Sequence, residues 1–223
     1  MILNHRLTLA LVALFFLGLL AGCGGQPATA PSTPAGNAQE QLKAGQTLLD
    51  QGKTAEAIRA LEEAARLDPK SVEAQYVLGN ALTRDGQLDR AVAAYQAALR
   101  LDPRHVNART NLGVVRHRQG RPEEAIKEFN EALRLAPDDA VVHYNLGSAY
   151  AQMGQLEQGI TEFQKANQID PNLPEPYLGL GKVYQLQSKN AQAIQALERY
   201  LELSDDAEWR AQAEAALKEL KGQ

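Results

Sequence analysis

One cysteine, one tryptophan and two methionines are all that the 223 residues hold of those three types. A lone thiol closes no internal disulfide, so the fold must stand on packing. It also leaves zinc without a thiolate set, and His5, His105, His117 and His143 fall at no metal-ligand spacing. No metal and no cofactor are expected. Aromatics make up only 5% of the chain, which leaves Ala and Leu to fill the interior and leans towards helix. Net positive charge is missing as well: the formal balance is −4, which argues against nucleic acid as a partner. There is no phosphate-cradling glycine loop, no activated nucleophile and no pair of carboxylates on a shared face. The chain therefore reads as non-enzymatic, with no small-molecule substrate.

Long apolar runs are also scarce, and the exception is Leu7 to Leu20, LTLALVALFFLGLL. It follows a short segment carrying the amino terminus and Arg6, the arrangement of a secretory signal. The run is shorter than the ~20 residues that span a bilayer, although an uncleaved signal anchor is the other reading. It ends at Leu20-Ala21-Gly22-Cys23, which resembles the lipobox of bacterial lipoproteins. The resemblance implies residues 1–22 as signal peptide, cleavage before Cys23, and lipid attachment at the Cys23 sulfur. Small Ala21 and Gly22 suit a peptidase, and a thiolate is the group that can be alkylated. Stable anchoring needs two or more acyl chains. Gly24 follows the cysteine where an Asp tends to retain such proteins in the inner membrane, so the resemblance favours the outer membrane if the source has one. Residues 23–37, with Pro27, Pro31 and Pro34 and no large apolar side chain, read as a disordered linker reaching roughly 40 Å.

Beyond it the chain repeats. Gly45, Gly79, Gly113, Gly147 and Gly181 stand 34 residues apart. Pro69, Pro103, Pro137 and Pro171 keep the same spacing, as do Ala57, Ala91, Ala125, Gly159 and Ala193. So do Gly52, Gly86, Gly120 and Gly154. Five units follow, 38–71, 72–105, 106–139, 140–173 and 174–207. Each reads as two helices around a Gly-containing turn. Asp89, Glu123 and Glu157 sit where a helix dipole favours acid, and Pro122 suits a first helical position. Asp68-Pro69, Asp102-Pro103 and Asp170-Pro171 end the second helices of the first, second and fourth units. The glycine column should let the helices of a hairpin approach closely against the Ala91 column.

The pattern resembles the tetratricopeptide repeat, visible in Leu146-Gly147, Tyr150, Phe163, Ala166 and Pro171, with Gly159 for the usual alanine. The end units depart from it, with Ser188 for glycine and Asp205 for proline in the fifth. The resemblance implies an all-α fold, a right-handed α-solenoid of five helix-turn-helix hairpins. The remaining residues, 208–223, read as a capping helix, with Trp209, Ala213, Ala216, Leu217 and Leu220 on one face. Trp209 is expected to pack into the final groove, a ligand platform being the alternative.

At 100° per residue, the face of each first helix turned from its hairpin partner can be assigned from the glycine column. In the family this face lines the concave groove. It carries Asn80, Arg84, Asn107, Asn111, Arg118 and Asn145, with Tyr76 and Tyr144 at one edge. These eight are the candidate peptide-binding residues. An asparagine matches the donor and acceptor of a peptide unit, and Asn111 and Asn145 resemble the asparagine ladder with which some family members hold an extended backbone. The arginine-rich stretch 104–121 offers either an acidic-partner surface or an ordinary solvated patch. The function implied is a lipid-anchored scaffold that binds a protein partner through an extended segment. Similar architecture occurs in lipoproteins that assist type IV pilus secretins or scaffold peptidoglycan hydrolases. An accessory role in envelope polysaccharide or glycan processing is the alternative.

Overall fold

The computed structural model describes residues 34–222. Cys23, the apolar run and most of the expected linker lie outside them. The described residues form eleven helices: α1 Pro34–Asp50, α2 Thr54–Leu67, α3 Val72–Arg84, α4 Leu88–Leu101, α5 Val106–Arg118, α6 Pro122–Leu135, α7 Ala140–Gln152, α8 Leu156–Ile169, α9 Glu175–Leu186, α10 Asn190–Leu203 and α11 Ala207–Leu220. The first helix starts at Pro34, four residues inside the segment expected as linker. A proline at a first helical position forfeits no backbone bond. No described helix is long and apolar enough to cross a membrane.

Local chemistry sets each boundary. Ser71 and His105 accept from the amides of Ala74 and Ala108, and Asp139 from those of Val141 and Val142, at 3.0–3.1 Å. These satisfy orphan donors at the starts of α3, α5 and α7. At the other end of the repeat Asp68, Asp102 and Asp170 leave helical geometry before proline and accept from the amide two residues on. Within each hairpin the turn residue Gly52, Gly86, Gly120 or Gly154 takes φ between 73° and 81°, a left-handed conformation that costs glycine nothing. In the fifth hairpin Ser188 takes the same turn at φ 57°.

The helices pair as α1–α2, α3–α4, α5–α6, α7–α8 and α9–α10, and each hairpin packs on the next. Close approach within a hairpin is real, but its main partner is not the alanine column. A Cβ on Gly45, Gly79, Gly113, Gly147 or Gly181 would come within 2.5–2.8 Å of Leu61, Tyr95, Phe129, Phe163 or Leu197 respectively. The glycine makes room for a large buried side chain of the second helix, and backbone contacts with Ala57 and Gly159 lie behind it. Five rings or leucines, one per hairpin, thus recur at the same place in the core.

Successive first helices also touch one another, α1 to α3, α3 to α5, α5 to α7 and α7 to α9. The second helices form no such continuous layer, so the stack curves with its first helices inside. The seams differ in kind. Between hairpins one and two run Arg84 to the Leu49 carbonyl, Gln46 to Glu73, and the Arg90–Glu62 ion pair. Between two and three run Arg118 to the Thr83 carbonyl, Gln119 to Asp89 and Asn111 to Asn80. Gln187 reaches Glu157 between four and five. Across the seam between three and four, His143 Nε2 lies 3.0 Å from the Pro137 carbonyl in the connecting loop, and no side-chain hydrogen bond or ion pair joins the helices themselves among the described residues. Between the helices Phe129, Val142, Leu146 and Ala149 hold it by apolar contact.

Helix α11 covers the last hairpin with Ala213 and Leu217 buried against Leu197 and Tyr200, and with Ala216 and Leu220 partly buried. Trp209, expected in this contact, is 40% exposed. Asp206 caps α11 through the amides of Glu208 and Trp209, which fixes the tryptophan in the first turn. There its ring turns towards α9 instead.

Candidate functional site

Four of the eight candidate residues converge. Asn80 and Arg84 from α3 and Asn111 and Arg118 from α5 line one cavity of 230 Å³, together with Thr83, Tyr95 and Val114. The Asn80 carbonyl oxygen accepts from the Tyr95 hydroxyl and from the Asn111 amide, each at 2.8 Å. The Tyr95 hydroxyl also lies 3.1 Å from Thr83 Oγ1. Burial pushes the Tyr95 pKa up to about 12, against lesser opposing hydrogen bonds, so its proton stays in place. This network orients both amides. Asn80 keeps two N–H donors for a ligand, and Asn111 keeps one N–H and its carbonyl.

The arginines are more committed than their place on the face indicates. Arg84 and Arg118 each give an Nη to a backbone carbonyl near the end of the preceding first helix, at 3.0 and 3.2 Å. Donors and acceptors are both 34 residues apart, so this is one repeated staple. Each guanidinium retains further N–H groups. Three of the five arginines in the stretch 104–121 are ion-paired: Arg109 with Glu128, and Arg116 and Arg121 with the shared Glu124. Burial lowers the His117 pKa.

The other four candidates scatter. Tyr76 is tied into a ring cluster, 4.8 Å from His105 and 6.3 Å from Tyr95. Asn107 is exposed at the start of α5, and Asn145 is half-buried. Asn145 finds no counterpart of the Asn111–Asn80 bond, because Val114 stands where Asn80 stands one hairpin earlier. Tyr144 lines a second cavity of 430 Å³ at the far end of the same face, built mainly from α9 and α7, with Trp209 of α11 at its edge. Burial raises the Tyr144 pKa.

Reading by face missed Thr83 and Tyr95, and of the residues around the second cavity it made only Tyr144 a candidate. A hydroxyl in a column of Leu61, Phe129, Phe163 and Leu197 was the available signal for Tyr95. An exposed Leu186, where earlier hairpins carry Arg84 and Arg118, was the signal for the second cavity.

Comparison with known proteins agrees with this architecture. Models of the tetratricopeptide repeat match residues 42–103, 80–140, 116–165, 148–188 and 174–206. MamA of Desulfovibrio magneticus RS-1, from its residue 41, is 31% identical with a TM-score of 0.69, covering 77% of this chain and 98% of that one. PilF of Pseudomonas aeruginosa is 24% identical with a TM-score of 0.67, covering 85% and 94%. YrrB, described as a TPR protein with an unusual peptide-binding site, is 20% identical with a TM-score of 0.62, covering 80% and 92%. No curated protein matches. With its repeat models contiguous from residue 42 to 206 and its hairpins stacked in register, the chain belongs to the tetratricopeptide repeat family.

Proposed function

We propose that the protein is a non-enzymatic scaffold that holds an extended segment of a partner protein along the inner face of its first helices. We further propose that a lipid on Cys23 tethers it to a membrane after export, the outer membrane where the source has two. The observation that carries the binding reading is the Asn80–Asn111 pair. Its amides are oriented by buried bonds and still present free donors and an acceptor to the groove. An extended peptide exposes the complementary pattern. The peptide-binding site named for YrrB supports such a use of the fold. Leu20-Ala21-Gly22-Cys23 is the support for the tether.

The two halves are tested separately. Asn80→Ala/Asn111→Ala should weaken partner binding roughly tenfold by calorimetry, since each lost hydrogen bond costs about 0.5–1.5 kcal/mol. Unchanged affinity with intact helicity would move the binding surface elsewhere. Cys23→Ser should abolish fatty-acid labelling and detergent-phase partitioning. A wild-type chain that takes up no label would overturn the tether and leave the groove untouched.

A further inference from the structure

The inner face changes character along its length. In hairpins two and three it is amide and guanidinium around the smaller cavity. In hairpin five the arginine column ends in Leu186, 72% exposed, and the asparagine column ends in Gly179. A side chain at 179 would strike Phe163, 2.7 Å from its Cβ position, so glycine here lets the Phe163 ring close against α9, and both line the floor of the pocket. Trp209, 40% exposed, and Tyr144 stand around the same space. Exposed leucine and tryptophan are unfavourable in water, and their grouping in one concavity marks a binding surface.

The charge there is unmatched. Lys182 Nζ lies 4.2 Å from the centroid of the Trp209 ring, and no carboxylate stands within ion-pair distance of it among the described residues. The pocket does hold two acids. Asp206 is occupied in capping α11. Glu175 stands at the start of α9, about 10 Å along the helix axis from Lys182. Partial burial lowers the Lys182 pKa, while the residue as a whole stays exposed and its ammonium is left without a counter-charge.

We propose that this pocket anchors the groove-bound segment by taking an aromatic side chain, with an adjacent acidic side chain pairing with Lys182. The inference rests on the groove-binding reading and adds the partner's chemistry to it. The polar half holds main chain and confers little sequence preference. The apolar half selects. An aromatic ring buried here stacks against Trp209 and Tyr144 and covers Leu186. A carboxylate beside it gains a charge-assisted contact in a partly desolvated setting.

Trp209 is the only tryptophan, so its emission reports occupancy directly. The full chain, in non-ionic detergent, is titrated with acetylated, amidated Gly/Ser peptides carrying Phe-Asp, Phe-Asn, Phe-Lys or Ala-Asp. Phe-Asp should give a saturable change in emission. Phe-Asn should bind roughly five- to tenfold more weakly and Ala-Asp at least about tenfold more weakly. Lys182→Gln should make Phe-Asp and Phe-Asn equal. Leu186→Asp, at a solvent-facing position, should weaken every Phe peptide while leaving helicity unchanged. Equal binding of Phe-Asp and Phe-Asn to wild type, or a preference for Phe-Lys, would overturn the proposal. So would the absence of any Trp209 response. Selection of random peptides on the same chain separates this failure from that of the groove reading. Binders that depend on Asn80 and Asn111 but lack an aromatic–acid pair would sink the pocket alone. No binders at all would sink both.

Discussion

Tyr95 occupies a column that Leu61, Phe129, Phe163 and Leu197 fill with hydrocarbon, and its hydroxyl turns that column into part of the candidate site. Tyr95→Phe keeps the ring and its packing. It should cost about 1 kcal/mol and free the Asn80 amide to rotate. The pH dependence is the sharper check. Burial disfavours the phenolate, so the unfolded chain releases this proton near 10.0 and the folded chain near about 12. Between those values the unfolded state binds fewer protons, and stability falls as pH rises. Chemical denaturation across pH 9 to 12 should show the wild type losing its margin over Tyr95→Phe within that window. A parallel pair of curves would mean that Tyr95 is not buried as described. At this scale the sequence was readable where chemistry follows from face. Asn80 and Asn111 do share one surface. It was unreadable where a side chain's partner is backbone from another repeat: nothing in the local sequence places the Leu49 and Thr83 carbonyls within reach of Arg84 and Arg118.

At the element scale, a fixed period makes one turn a control for the others. Four hairpins turn through glycine at φ 73–81°, and the fifth forces Ser188 to φ 57°. A non-glycine residue in the left-handed region is strained by about 1–2 kcal/mol, while glycine loses more entropy on ordering. Ser188→Gly should therefore stabilise the chain by roughly 0.5–1 kcal/mol, read as a raised thermal midpoint; a lower midpoint would show that serine's side chain contributes there. The hairpins, their turns and their Asp-Pro endings could all be read from the spacing of Gly and Pro, because those residues act through local backbone geometry. Trp209 could not. Its periodicity with Ala213 and Leu217 is correct, but the Asp206 cap fixes it in the first turn, where α10 no longer lies beneath it. The Ser188 departure was visible in the sequence; its backbone consequence was not.

For the whole molecule, a stack in which each hairpin touches only its neighbours is as strong as its seams, and stability is close to a sum over them. Three of the four seams carry polar bonds from helix to helix, whereas between hairpins three and four the only such contact among the described residues is from His143 to the Pro137 carbonyl of the connecting loop. It lies between the asparagine cavity and the Trp209 pocket, so a segment filling both would bridge it. The consequence is mechanical. A protein fixed at one end and loaded through a partner at the other transmits tension along its axis, and polar bonds that fix register resist sliding where apolar contact does not. Drawn between its termini in an optical trap, the chain should yield first at this joint, as a two-step extension with hairpins one to three and four to five separating as blocks. Simultaneous rupture, or fraying from either end, would show the joint to be no weaker than the rest. With a bridging segment bound, the first step should move to higher force: the cargo would act as a splint for the arm that carries it.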